Sequence, residues 1–357
     1  MSRNRFLDQL GIEDPIIQAP MAGGPTTPEL VAAVSNAGGL GSLGAAYMTP
    51  DQITEAIRQI RSLTDKPFNV NLFAGGYDPA SADSDAGPML AMLSDIHLHL
   101  GLPEPVAPVL QPDPFPGQFE AVLQARPAVF SFTFGIPARN AISRLKTTGI
   151  FTIGTATISE EARQLEQAGV DAIVAQGGEA GAHRGTFAAS FEDAMVPTFE
   201  LVRGTVSAVR IPVIASGGIM DGREIAAALR LGAAAAQLGT AFLACPESGA
   251  SEAYKQVILS ARTDTTVITR AFSGRPARGI PNDFVEKLAD KKEMILPYPL
   301  QNSLTRAMRT AAAQRGDARF LSLWAGQGVA GSRSMPASEL VRLIAEEIRT
   351  AEAEAAA

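Results

Sequence analysis

Residues 170–185 read VDAIVAQGGEAGAHRG, and the fold follows from how this stretch changes character halfway along. Residues 170–175 are mostly β-branched or small and apolar, which suits a parallel strand covered on both faces. The run then stops at four glycines, Gly177, Gly178, Gly181 and Gly185, whose backbone can turn sharply or approach a ligand closely. His183 lies among them, followed by Arg184. The chain has 3 histidines, and His183 alone sits between glycines at the end of a predicted strand. A lone histidine in an arbitrary protein is most simply a hydrogen-bonded turn residue. At the carboxyl end of a parallel strand, where α/β folds collect their chemistry, a functional histidine is the better reading.

Strand and helix signals alternate on both sides of this stretch. Strands are expected over 16–19, 39–42, 68–72, 128–132, 150–154, 170–175, 212–216 and 235–238. Between them, Thr27 caps a helix with Pro28 at its first position and Leu30, Val31 and Val34 on its apolar face. Thr49, Pro50 and Gln52 form a capping-box start, followed by Ile53, Ile57 and Ile60 at helical spacing. Further helices are expected over 159–168 and 192–208, and one capped by Asp221 with Glu224 as its box partner. Eight βα units in about 240 residues match the (β/α)₈ TIM barrel in count and length, and right-handed crossovers would close the sheet.

Two segments stand outside this rhythm. Residues 74–117 are rich in Pro, Gly, Asp and Ser, with a helical patch over 89–100, and residues 246–357 remain after the eighth unit. The expected organisation is a barrel from 1–73 and 118–245. The insertion 74–117 and the tail 246–357 form a smaller, mainly helical cap over its mouth. In the tail, a helix is expected over 252–261, a β-branched run covers 265–269, and the last helix, with Leu340, Leu343, Ile344 and Ile348 on one face, packs back on the barrel. Ser273-Gly274-Arg275 and Pro297-Tyr298-Pro299 are the tail segments expected to face the site. His97 and His99 fall in the helical patch, where this spacing points two side chains apart, so a core-edge or solvated pair is preferred to metal ligands.

Composition sets outer limits. The chain of 357 residues is 46% hydrophobic and carries a formal charge of −7, which offers no basic footprint for nucleic acid. Cys245 is the single cysteine, so an intrachain disulfide and a cysteine metal cluster are both excluded. The first residues lack the apolar core of a secretory signal, and no stretch approaches the ~20 apolar residues of a membrane span. A soluble, cytoplasmic protein is expected. Its oligomeric state is open, a homodimer included.

Glycine loops also follow the last two strands, Ser216-Gly217-Gly218-Ile219 and Gln237-Leu238-Gly239-Thr240. Singly, each is a common feature of α/β proteins. Together, after the seventh and eighth strands of a barrel, they are where backbone N–H groups hold a phosphate. A phosphate-bearing ligand is therefore expected, and no metal is called for.

The motifs IIQAPMAGG (16–24), NVNLFAGG (69–76), QGGEAGAHRG (176–185), ASGGIMDG (215–222), QLGTAFL (237–243), SGRPARG (273–279) and PYPLQNSLT (297–305) occur in this order. Together they resemble the class I nitronate monooxygenases, formerly called 2-nitropropane dioxygenases, over nearly the whole chain. The resemblance implies a (β/α)₈ barrel holding FMN non-covalently and oxidising alkyl nitronates with O₂, propionate 3-nitronate being the characteristic substrate. By position it implies that Pro20, Met21, Ala22, Asn71 and Gln176 meet the flavin. Gly181, Gly217, Gly218, Gln237, Leu238, Gly239 and Thr240 would receive its ribityl chain and phosphate through backbone groups. His183 falls on the catalytic histidine. It would stabilise the substrate anion and take the α-proton of a neutral nitroalkane. Tyr298 would donate a hydrogen bond to the nitro group. The chain departs from the family pattern twice: Ala182 stands where the loop commonly has glycine, and Thr133 where the fourth strand commonly ends in histidine, which bears on substrate preference.

Two alternatives accompany this reading. One is an FMN-dependent NAD(P)H reductase of quinones or enoyl thioesters on the same barrel; the other is a flavin- or phosphate-binding protein without turnover. No GxGxxG fingerprint follows a strand, and Arg184 with the SGRPARG and PYPLQN stretches favours the nitronate reading over the reductase. Retention of His183 argues against a non-catalytic protein.

Overall fold

The computed structural model describes residues 5–78, 81, 83–263 and 265–356. Eight parallel strands enclose the centre: β1 (Ile16–Gln18), β2 (Gly41–Gly44), β3 (Phe68–Phe73), β4 (Val129–Thr133), β5 (Phe151–Ala156), β6 (Ala172–Gln176), β8 (Val213–Ser216) and β9 (Ala235–Leu238). Their order is β1-β9-β8-β6-β5-β4-β3-β2, and the sheet closes where Leu40 N–H donates to Ile16 O and Gln18 N–H donates to Leu40 O. Helices fill the crossovers, so this is a (β/α)₈ TIM barrel.

Three short strands build a second, antiparallel sheet: β7 (Ala182–His183), β10 (Val267–Thr269) and β11 (Ala277–Gly279), in the order β10-β11-β7. β11 pairs Ala277 with His183 and Arg278 with Ala182. Helix Gly87–His99 shares one apolar cluster with the segment after the barrel, Met89, Leu93 and Ile96 packing with Phe272, Leu300 and Met308. The last helix, Ala337–Ala356, packs Leu340, Ile344 and Ile348 against barrel residues Leu30, Ile225 and Ala228. No helix among the described residues is long and apolar enough to cross a membrane.

Local chemistry explains most element boundaries. Thr27 Oγ1 accepts from Leu30 N–H, and Thr49 with Gln52 makes both bonds of a capping box. Asp221 caps its helix, but the Glu224 carboxylate accepts from Met220 N–H instead of closing the box. The helix expected from 192 starts only at Thr198, because the residue before Pro197 is biased away from helical angles. β2 lies two residues later than expected, since Leu40 is used in closing the barrel. Helix Phe115–Ala125 was hidden by Pro114, Pro116 and Gly117, which a first turn tolerates. His97 turns inward to Pro103 O at 2.7 Å, whereas His99 meets Asp317 and Arg319 at the surface.

Candidate active site

A cavity of about 650 Å³ opens at the carboxyl ends of the barrel strands. Every strand end supplies lining: Pro20, Met21 and Ala22 after β1, Tyr47 after β2, Asn71 on β3, Thr133 on β4, Thr155 on β5 and Gln176 on β6. Gly217 and Gly218 follow β8, while Gln237, Gly239 and Thr240 come from β9 and its loop. Gly181 and His183 project from the loop after β6. Leu238 does not reach the cavity: its side chain belongs to the core and its carbonyl accepts from Ala19 N–H. Tyr298 stands beside His183, ring centroids 6.2 Å apart.

At one end the lining is main chain. Gly217 and Gly218 have φ of 126° and 72°, which turn the loop after β8 in a way that a side chain would oppose. The N–H groups of Gly217, Gly218, Gly239 and Thr240 find no protein acceptor among the described residues. Thr240 Oγ1 accepts from Gly326 N–H at 2.9 Å, tying a segment from beyond the barrel onto this end.

At the other end the lining is side chains. The His183 loop is braced from behind. Arg184 is buried and donates to the carbonyls of Gly177 and Ala194, and the buried Glu161 carboxylate accepts from Thr186 Oγ1, Phe187 N–H and Ala188 N–H. Gln176 is committed to the same loop, donating to His183 O and accepting from Gly185 N–H. Ala182 sits at φ 61°, a left-handed conformation that a Cβ disfavours, held there by its pairing with β11. The imidazole is ringed by Phe73, Phe134, Tyr298 and Trp324, and its Nε2 lies 2.8 Å from Ser273 Oγ. Burial pushes its pKa down to about 3, with Arg275 and Arg309 adding repulsion, so the ring is neutral at physiological pH.

Cations surround this end without carboxylate partners. Arg275 stacks 3.8 Å over Phe134, Arg306 and Arg309 line the cavity from helix Arg306–Arg315, and no Asp or Glu lines it among the described residues. Arg309 is held by Asn302 O and Oδ1. Tyr47 Oη is buried with no hydrogen-bond partner inside 3.5 Å among the described residues, the Tyr298 hydroxyl being near enough to couple to it electrostatically. Tyr47, Arg306, Arg309 and Trp324 were absent from the site read in the sequence, whereas Ser273 and Arg275 lie in a tail segment expected to face it. Tyr47 follows a strand end, a position that marks it; Trp324, the only tryptophan, carries no such signal.

The barrel, with its cavity and its histidine at the carboxyl ends of the strands, defines the class as a TIM-barrel enzyme. The family model described as nitronate monooxygenase matches residues 4–347. A nitronate monooxygenase of Pseudomonas aeruginosa is 45% identical, the match covering 97% of this chain and 99% of that protein. Among solved structures, the nitroalkane oxidase from Streptomyces ansochromogenes superimposes with a TM-score of 0.89 at 41% identity, covering 98% of this chain and 99% of the other. FabK from Thermotoga maritima follows at 0.78 and 33%, covering 99% of each. The chain belongs to the nitronate monooxygenase family of flavin-dependent oxidoreductases.

Proposed function

We propose that the chain holds FMN non-covalently in this cavity and oxidises alkyl nitronates with O₂, giving a carbonyl product and nitrite or nitrate. A carboxylate-bearing nitronate of the propionate 3-nitronate type is the preferred substrate. The four N–H groups without acceptors at Gly217, Gly218, Gly239 and Thr240 carry the reading. Backbone donors left open on a cavity wall suit an anion with several oxygens, and a flavin phosphate provides one. Asn71 spends its Nδ2 on Ser131, which leaves its Oδ1 for a ring N–H. Bound in this cavity, FMN would supply the one-electron chemistry between the nitronate and O₂.

The protein's own part is binding and proton chemistry. Arg306, Arg309 and the buried Tyr47 hydroxyl give an anionic substrate its counter-charge and a donor. A neutral His183 can accept the α-proton of a nitroalkane, which a cationic one could not. The likeness to a nitroalkane oxidase supports this second role. Burial raises the pKa of Tyr298, which keeps it a protonated donor beside the histidine.

The test is direct. The purified protein should be yellow and release FMN on acid precipitation, and oxygen uptake with propionate 3-nitronate should exceed NADH oxidation with a quinone or enoyl acceptor. A colourless protein that fails to bind added FMN would sink the flavin reading. Faster NADH oxidation would favour the reductase.

A further inference from the structure

Ser273 Oγ lies within hydrogen-bond distance of three groups. They are His183 Nε2 at 2.8 Å, Arg275 O at 3.2 Å and Arg275 N–H at 3.3 Å. A serine has one proton to give. The Arg275 N–H can only donate and the Arg275 carbonyl can only accept, and that carbonyl has no other backbone or side-chain donor among the described residues. If the serine proton turned to Nε2, the carbonyl would face an oxygen lone pair, and His183 would carry its proton on Nδ1. No described residue offers Nδ1 an acceptor within hydrogen-bond distance, and the surrounding groups are the rings of Phe73, Phe134, Tyr298 and Trp324 with the cations Arg275 and Arg309 nearby. With the serine proton on the carbonyl, every one of these groups is paired and Nδ1 alone is left bare on the cavity side.

We propose that the turn at 273–275 fixes His183 as the Nε2–H tautomer, so that Nδ1 is the nitrogen offered to the substrate and Ser273 is its positioning residue. The backbone supports this arrangement. Gly274 has φ 83°, and a Cβ there would meet Leu296 O at 2.3 Å. Arg275 is pinned on Phe134, with its NH1 occupying the space where a Cβ on Gly76 would lie. The tautomer stands on these bonds alone, while its catalytic consequence rests on the base role given to His183 above.

The chain's 3 histidines make the measurement tractable. The holoenzyme labelled with ¹⁵N-histidine is examined by long-range ¹H–¹⁵N correlation at pH 7, and His183→Asn assigns the His183 pattern. The neutral Nε2–H pattern is expected in the wild type; an Nδ1–H pattern overturns the proposal without any variant. Ser273→Ala should release the ring to a tautomer mixture and Ser273→Thr should restore the wild-type pattern, whereas an unchanged pattern in Ser273→Ala removes the positioning role. In kinetics, Ser273→Ala should lower kcat/KM for nitroethane roughly tenfold and leave ethyl nitronate within about twofold. If the Nε2–H pattern holds but His183→Asn turns over nitroethane normally, the base reading fails and the tautomer assignment survives.

Discussion

The two ends of the cavity are built from different material. At the glycine end the available groups are backbone N–H donors, and the loops that present them directly follow consecutive barrel strands, β8 and β9. At the histidine end the groups are side chains, and the partner of His183 is 90 residues away in sequence. A main-chain site depends on the φ and ψ of a few residues and on strand order. A side-chain site depends on how a separate segment packs. The first should therefore fail by backbone strain and the second by loss of single functional groups.

The largest effect is expected at the histidine. His183→Asn should lower kcat/KM for nitroethane by roughly 10²–10⁴-fold, the usual contribution of a positioned base. The loss with ethyl nitronate should be smaller and partly in KM, and flavin content should be unchanged. Equal losses on both substrates would contradict the base role, and a loss of flavin would break the separation of the two ends. At the other end, Gly217→Ala places a Cβ at φ 126° and 2.6 Å from Thr198 Oγ1. Strain of ~1–3 kcal/mol should weaken FMN binding roughly ten- to hundredfold, read by fluorescence titration, with the nitroethane-to-nitronate ratio of the reloaded enzyme preserved.

The next effect is an absence of change. Because His183 in the folded protein has its pKa lowered to about 3, it is already deprotonated well below neutral pH. Its base role is lost only as pH falls towards that value. From pH 5 to 7, kcat/KM for nitroethane should vary less than about twofold; an acid limb near the ordinary histidine value would show that the cavity does not hold the ring neutral. The smallest effect concerns the loop between the two ends. Ala182→Gly removes a Cβ from a left-handed residue and should stabilise the protein by ~0.5–1 kcal/mol in chemical denaturation, with kcat/KM within about twofold. A destabilised variant would show that the alanine methyl contributes more by packing than it loses in strain.

Much of the barrel was legible because its signals are local. Short apolar runs that end in glycine give strands and their carboxyl ends, and Thr27, Thr49 and Asp221 mark helix starts by chemistry that acts over three residues. The same locality made Gly217, Gly218, Gly239 and Thr240 readable as cavity lining. Reading failed where an element owes its form to a distant partner. β7 has two residues and forms because β11 pairs with it, and Leu238, although it lies in a glycine-loop motif, turns its side chain into the core.

Alone, the sequence determined the class of fold, the position of His183 at a strand end and the family to which the motifs point, since periodicity, glycine placement and motif order are properties of short segments. Tertiary structure decided what His183 is chemically. A neutral imidazole, bonded through Nε2 to Ser273 and ringed by Phe73, Phe134, Tyr298 and Trp324 under the charges of Arg275 and Arg309, exists only once the segment after the barrel has folded back over the cavity. Burial and proximity between residues some 50 to 140 positions apart set that state, and neither is written in any one stretch of the chain.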